Sequence, residues 1–158
     1  MTKEQALAGL AKSRQALHQA IEGLSAEEMT QVQVEGVWMF KDVVGHITSW
    51  EETCLEPLQH YADGGPFEVQ VIEDYLAWND EQAARKRDVP FDGILNEAAA
   101  IRQGMVETAS RLSASQWEQR VPFAWEGEGT IADTLEGLHV HEMEHVHNIQ
   151  QWQRGLCQ

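Results

Sequence analysis

The chain predicts an all-α fold: a four-helix bundle with an accessory helix in the long connection between its second and third main helices. Three observations carry that prediction. Apolar residues recur at three- and four-residue steps in four long segments. No segment of convincing length alternates with the two-residue period of a strand. Capping signatures stand where helical segments should begin. At 158 residues the chain reads as a single domain over 1–158, long enough to bury a core without staples.

The first helix carries Leu7, Leu10, Leu17, Ile21 and Leu24 on one seam, with Arg14 in the gap, and Thr2-Lys-Glu-Gln5 offers it a capping box. A second box, Ser25 with Glu28, marks a short helical turn, and Gln31 to Val37 lacks helical period and reads as a connecting loop. The second main helix begins near Trp38 or Met39. Phe40, Val43, Val44, Ile47, Trp50, Cys54 and Leu58 share its stripe, and Asp63-Gly-Gly-Pro66 ends it. Within 67–89, Val69, Ile72 and Leu76 predict the accessory helix, with Trp78 and Asn79 near its middle and Arg85-Lys-Arg87 completing its C-terminal dipole. After Pro90, the third main helix carries Ile94, Leu95, Ala98, Ile101, Met105, Ala109 and Leu112. A non-helical stretch through Pro122 and Gly127-Glu-Gly129 leads to Thr130-Ile-Ala-Asp133, which caps a fourth helix running to about Arg154. Leu24-Ser-Ala and Leu112-Ser-Ala follow the first and third helices alike. This weak internal duplication predicts two helix pairs about a pseudo-twofold axis.

Composition narrows the function classes. Lys and Arg number 11 against 26 Asp and Glu, a formal net charge of −15, so nucleic acid and anionic membrane surfaces are expected not to be partners. Hydrophobic content of 42% with six Trp argues against disorder. Cys54 and Cys157 are the only cysteines and give no disulfide framework. With no leader pattern at Met1 and no long apolar run, a cytoplasmic, reducing location is expected.

Histidine is the anomaly: seven occur, and His139, His141, His145 and His147 crowd one helix. On that helix His141 and His145 lie about 40° apart, on the side of Ile131, Leu138, Ile149 and Trp152, whereas His139 and His147 fall outside this face. An i, i+4 pair of imidazoles on one face is the arrangement that converges on a divalent cation. Two core histidines satisfied by carbonyls, carboxylates or water would place the same residues there. A third ligand has to come from a facing helix, and the second main helix offers His46 at the edge of its stripe. Three His without a fourth protein ligand leave an open position, the form of a catalytic site. His18 and His60 read as solvent-facing. Trp38, Trp50 and Asn79 are candidate pocket residues. Glu51, Glu142 and Glu144 are candidates for orienting the ligands or for a general base, though no catalytic residue is named.

Two segments resemble a known family. Gly36-Val-Trp-Met-Phe-Lys-Asp-Val-Val-Gly-His46-Ile-Thr-Ser-Trp50-Glu is similar to the stretch of the DinB-like proteins in which Trp precedes Lys-Asp, a ligand His and then Trp-Glu. His141-Glu-Met-Glu-His145-Val-His-Asn-Ile149 resembles that family's closing motif, and Tyr75-Leu-Ala-Trp-Asn79 an intermediate one. The resemblance implies a bundle with a divalent metal (Zn, Ni, Mn or Fe) held by His46, His141 and His145, a low-molecular-weight thiol as a further cofactor, and a homodimer. It implies an enzyme acting on a small electrophilic molecule by thiol transfer, isomerisation or hydrolysis. Two alternatives stand beside it: a non-catalytic ligand-binding or stress-response bundle, with Met29, Trp117 and Trp125 as loop surface for a partner, and a metal-independent protective hydrolase. The family also contains members whose histidine triad is incomplete.

Overall fold

A computed structural model describes residues 1–155; Cys157 lies outside the described residues. Four long helices form the bundle: α1 (Lys3–Ile21), α3 (Phe40–Ala62), α5 (Phe91–Ser110) and α7 (Ile131–Gln153). Between them stand α2 (Ala26–Gln31), α4 (Tyr75–Lys86), α6 (Ala114–Glu118) and two small antiparallel hairpins, β1 (Gln33–Glu35) with β2 (Trp38–Met39) and β3 (Val121–Pro122) with β4 (Glu128–Gly129). The all-α bundle with its accessory helix, α4, is therefore the observed fold.

Capping chemistry sets the starts. Thr2, Ser25, Ser113 and Thr130 each accept a hydrogen bond from the backbone N–H three residues on, and the side chains of Gln5, Glu28, Gln116 and Asp133 accept one from the cap residue's own N–H. At α3, where Met39 has no capping side chain of its own, Asp42 accepts from the Met39 N–H at 3.0 Å.

The segment 31–37 is not simply a loop. Its two- and three-residue strands are too short to show a period, and Gly36, at φ +55°, makes the turn between them. The accessory helix is also shorter than expected: Asp74 caps it at Ala77 N, so Val69 and Ile72 reach the core from extended chain and Leu76 is left exposed. The duplication is visible, since each half runs long helix, capped short helix, hairpin, long helix. Packing does not follow chain order, however. The closest neighbours are α1 with α7 and α3 with α5, while α3 also touches α7.

The core falls into two apolar clusters. Leu10, Cys54, Leu58, Met105, Leu135 and Leu138 belong to one; Leu17, Val44, Ile47, Ile94, Ala98, Val146 and Ile149 belong to the other. Between them, each long helix contributes a charged residue to a buried layer: Arg14, Glu51, Arg102 and Glu142. Arg14 Nε donates to Glu142 at 2.7 Å and Arg102 NH2 donates to the other oxygen at 2.7 Å, while both arginines also bond Glu51. Ser13 adds a hydrogen bond to Glu142, and the spare guanidinium donors reach the carbonyls of Leu10 and Ala98. Burial of four charges is tolerable because two of each sign meet with their hydrogen bonds satisfied.

Candidate metal centre

His46 on α3 and His141 and His145 on α7 come together where these two helices touch. The Nε2 atoms of His46 and His141 are 2.9 Å apart and those of His141 and His145 are 3.1 Å apart. The rings meet edge to face, with centroids 4.7 to 4.9 Å apart. Each offers one nitrogen to a common point. The fit to a cation is chemical as well as geometric. A tetrahedral ion with metal–nitrogen bonds of about 2.0–2.1 Å sets its ligand nitrogens about 3.4 Å apart, a few tenths of an ångström wider than these.

Tautomers follow from the surroundings. His145 Nδ1 lies 2.7 Å from Glu35 Oε2. Burial raises the Glu35 carboxyl, but the hydrogen bonds from His145 and Asn148 and the histidine charges outweigh it and hold the group below the usual range. An ionised carboxylate only accepts, so Nδ1 carries the proton and Nε2 of a neutral His145 presents a lone pair. Burial, followed by the charges of His141 and His145, pushes His46 down to about 2. Burial, with the charge of His145 next, pushes His141 down to about 4. At neutral pH these two imidazoles are unprotonated, as ligation requires.

The first hairpin serves the cluster twice. Glu35 on β1 pairs with Trp38 on β2; Glu35 orients His145, and the Trp38 ring packs on His46 with centroids 4.6 Å apart. Glu35 and its partner Asn148 are absent from the sequence reading. Asn148 could have been found, because it lies one turn beyond His145 on the same helix face. Nothing in the sequence ties Glu35, 110 positions from His145, to that helix.

Beside the cluster opens a cavity of about 460 Å³, lined by His46, His141 and Trp50 among others. Asn79 lines it too and accepts a hydrogen bond from Trp50 Nε1 at 3.0 Å. Trp38 does not; it sits against His46 outside that wall. Trp125 is a cavity residue rather than free surface, while Met29 and Trp117 pack against the core clusters. Glu51 and Glu142 belong to the buried charged layer, not to the histidines, and Glu144 is exposed. His18, His60 and His147 are exposed; His139 is half-buried over Gly9.

Residues 10–149 match the DinB superfamily, and the chain belongs to it. No curated protein matches the chain in sequence. Among solved structures it is similar to a mycothiol-dependent maleylpyruvate isomerase, with a TM-score of 0.79 and 12% identity over 94% of this chain and 61% of that one. It thus spans under two thirds of that enzyme's length. It is also similar to an uncharacterised protein from Escherichia coli UTI89, with a TM-score of 0.80 and 12% identity over 98% and 94% of the two chains. A third similar structure is the colibactin self-resistance protein ClbS in complex with double-stranded DNA, with a TM-score of 0.77 and 14% identity over 96% and 95%. At such identities the likeness establishes the fold. The third comparison corrects the exclusion of nucleic-acid partners drawn from charge. A protein of this fold is seen on DNA, and net charge sums over a whole surface whereas contact depends on local charge. Among the described residues no helix is long and apolar enough to cross a membrane.

Proposed function

We propose that the chain is a divalent-metal-dependent enzyme acting on a small electrophilic molecule, with His46, His141 and His145 as the metal ligands. One observation carries the reading: three imidazole nitrogens converge beside a cavity, with two of the imidazoles held neutral. A core role for these histidines would pair each with a carbonyl, carboxylate or water; here only His145 has such a partner, Glu35 at Nδ1, and the Nε2 atoms face one another. When bound, a divalent cation supplies Lewis acidity and lowers the pKa of a thiol or water at its open position.

The protein's own groups prepare that chemistry. Glu35 holds the His145 proton on Nδ1 and so fixes which nitrogen faces the site. Trp38 packs on one ring of the cluster and Trp50 gives the cavity an apolar wall. The Trp50 indole orients the Asn79 amide, which is placed to hold a substrate oxygen. The similarity to a mycothiol-dependent isomerase supports a low-molecular-weight thiol as co-substrate, and thiol transfer or isomerisation as the reaction class.

Elemental analysis of the purified protein, followed by screening of thiol-dependent turnover of electrophiles, tests this. The expected result is one equivalent of metal, lost in His46→Ala, His141→Ala and His145→Ala, with turnover lost in parallel. A wild type that neither retains a stoichiometric metal nor gains thermal stability on addition of Zn²⁺, Ni²⁺ or Mn²⁺ overturns the metal. Turnover that survives removal of all three histidines overturns the mechanism.

A further inference from the structure

The outer wall of the cavity is built from two loops, one of them seated on glycines. Gly137 lies one turn before His141 on α7, and a Cβ there would come within 2.7 Å of Trp125 Cζ2. Its missing side chain lets the Trp125 indole lie against the helix beside the histidines. Gly129 does the same for Phe123, whose Cζ would be 2.6 Å from a Cβ. Phe123 in turn stacks on Trp125 with centroids 5.1 Å apart and planes 23° from parallel. The Ile72 N–H donates to the Ala124 carbonyl at 2.8 Å, tying the segment before α4 to the loop that carries Trp125.

The wall's chemistry is one-sided. Ile72, Tyr75, Trp125 and Leu138 join Trp50 in it, and no Lys, Arg, Asp or Glu lines it. Trp50 Nε1 is a donor only, so its bond identifies the accepting atom of Asn79 as Oδ1 and leaves the NH₂ group as a donor. Among the described residues that NH₂ has no protein acceptor. A neighbouring cavity of about 500 Å³ shares Ile72 and carries Glu52, Glu56 and Glu68. An anion would therefore lose its hydration against a wall with no cationic side chain, beside a neighbouring cavity that carries carboxylates. An uncharged ring would meet indole and phenol faces suited to stacking.

We infer that this cavity selects an uncharged, planar, aromatic ligand bearing a carbonyl-type acceptor. Trp125, seated on Gly137, is the specificity-determining residue, and Asn79 is the donor to the carbonyl. The inference deepens the functional reading above and rests on it for what happens to the ligand at the histidines; the ligand preference itself requires no metal.

Ligand-observed NMR titrations with acetophenone and 4-acetylbenzoate, the same ring and ketone without and with a carboxylate, test it on metal-free and zinc-loaded protein. Acetophenone is expected to bind at least about tenfold more tightly than 4-acetylbenzoate to both forms. Gly137→Ala and Trp125→Ala are each expected to weaken acetophenone by about fivefold or more while zinc stoichiometry is unchanged. Asn79→Leu should weaken acetophenone and spare ethylbenzene, which lacks the acceptor. Equal or tighter binding of 4-acetylbenzoate to metal-free protein overturns the inference, as does no detectable binding of either compound. Undiminished acetophenone binding in Trp125→Ala overturns it as well, and that variant decides alone if Gly137→Ala loses its circular-dichroism melting transition. Absence of zinc from the wild type would remove the metal reading and leave the ligand preference, measured without metal, to be judged separately.

Discussion

His141 and Glu142 are consecutive residues on α7 and belong to two different kinds of polar interior. A rotation of about 100° separates their side chains. Glu142 points into the bundle centre, where Arg14, Arg102 and Ser13 saturate it. Burial raises its carboxyl, but the charges of Arg102 and Arg14 and the hydrogen bonds outweigh burial and hold it below the usual range. The layer is closed: two arginines and two glutamates, one from each long helix, with burial pushing the Glu51 carboxyl up against the pull of Arg102 and Arg14. His141 instead faces His46 and His145, which offer it more nitrogens of its own kind. Burial, and next the charge of His145, depress its basicity against the opposing charges of Glu142 and Glu35, and Glu35 spends its hydrogen bond on the far side of His145. A closed polar layer holds a fold together; a convergence of ligand nitrogens beside a cavity has the form that the proposed metal site requires. The contrast separates function from structure without reference to any relative.

The largest effect should come from opening the closed region. Glu142→Ala leaves two buried guanidiniums with one carboxylate and should cost about 3–5 kcal/mol, read from urea unfolding midpoints at unchanged metal stoichiometry. His141→Ala in metal-free protein should cost much less than that; a loss as large would show the histidines to be structural. With metal at about a thousand times its dissociation constant, the wild type should gain about 4 kcal/mol over its metal-free form, a gain that disappears in each of the three histidine variants and persists in His139→Ala and His147→Ala. Thermal shift with and without chelator measures it.

Acid should act on the same contrast. His46 and His141 have native pKa values below their ordinary 6.5, at about 2 and about 4, so below pH 6.5 the unfolded chain takes up protons that the native chain refuses. Stability of the metal-free protein is therefore fully present above pH 6.5 and falls as pH drops, through about 4 for His141 and on toward about 2 for His46. A melting temperature that stays flat from pH 7 to 5 in metal-free protein, while falling in His46→Ala/His141→Ala, would contradict this. Glu35→Gln should give the smallest effect. It keeps the shape, removes the charge that orients His145, and should weaken metal binding by about 10–100-fold, as competition with a chelator would show.

Most of the fold was legible because its signals are local. A capping box needs four consecutive residues, and an amphipathic stripe needs one helix, so Thr2, Ser25 and Thr130 and the stripe of α3 could be read directly. The extent of α4 was misread because Val69 and Ile72 pack against the core, partly buried, without being helical, and such packing alone mimics a stripe. The hairpin at 33–39 was missed because it is shorter than any period. Within the site, helical phase selected the His141/His145 pair from four crowded histidines. Phase also placed Glu51 in an apolar stripe without revealing that its partners would be arginines from α1 and α5.

By itself, then, the sequence determined the four long helices, the starts that capping residues mark, and the histidines that share a face, since each depends on backbone geometry within a few turns. Tertiary structure decided the rest: that α1 lies along α7 and α3 along α5, that four charged residues close into one layer, and that His46 reaches the α7 pair. It also brought Glu35 and Trp38 to the cluster on one hairpin, and Ile72 and Trp125 to the cavity on two loops. These meetings join residues as far as 128 positions apart, and no local propensity records them. They exist only because burying the two apolar clusters forces the helices and their connections together.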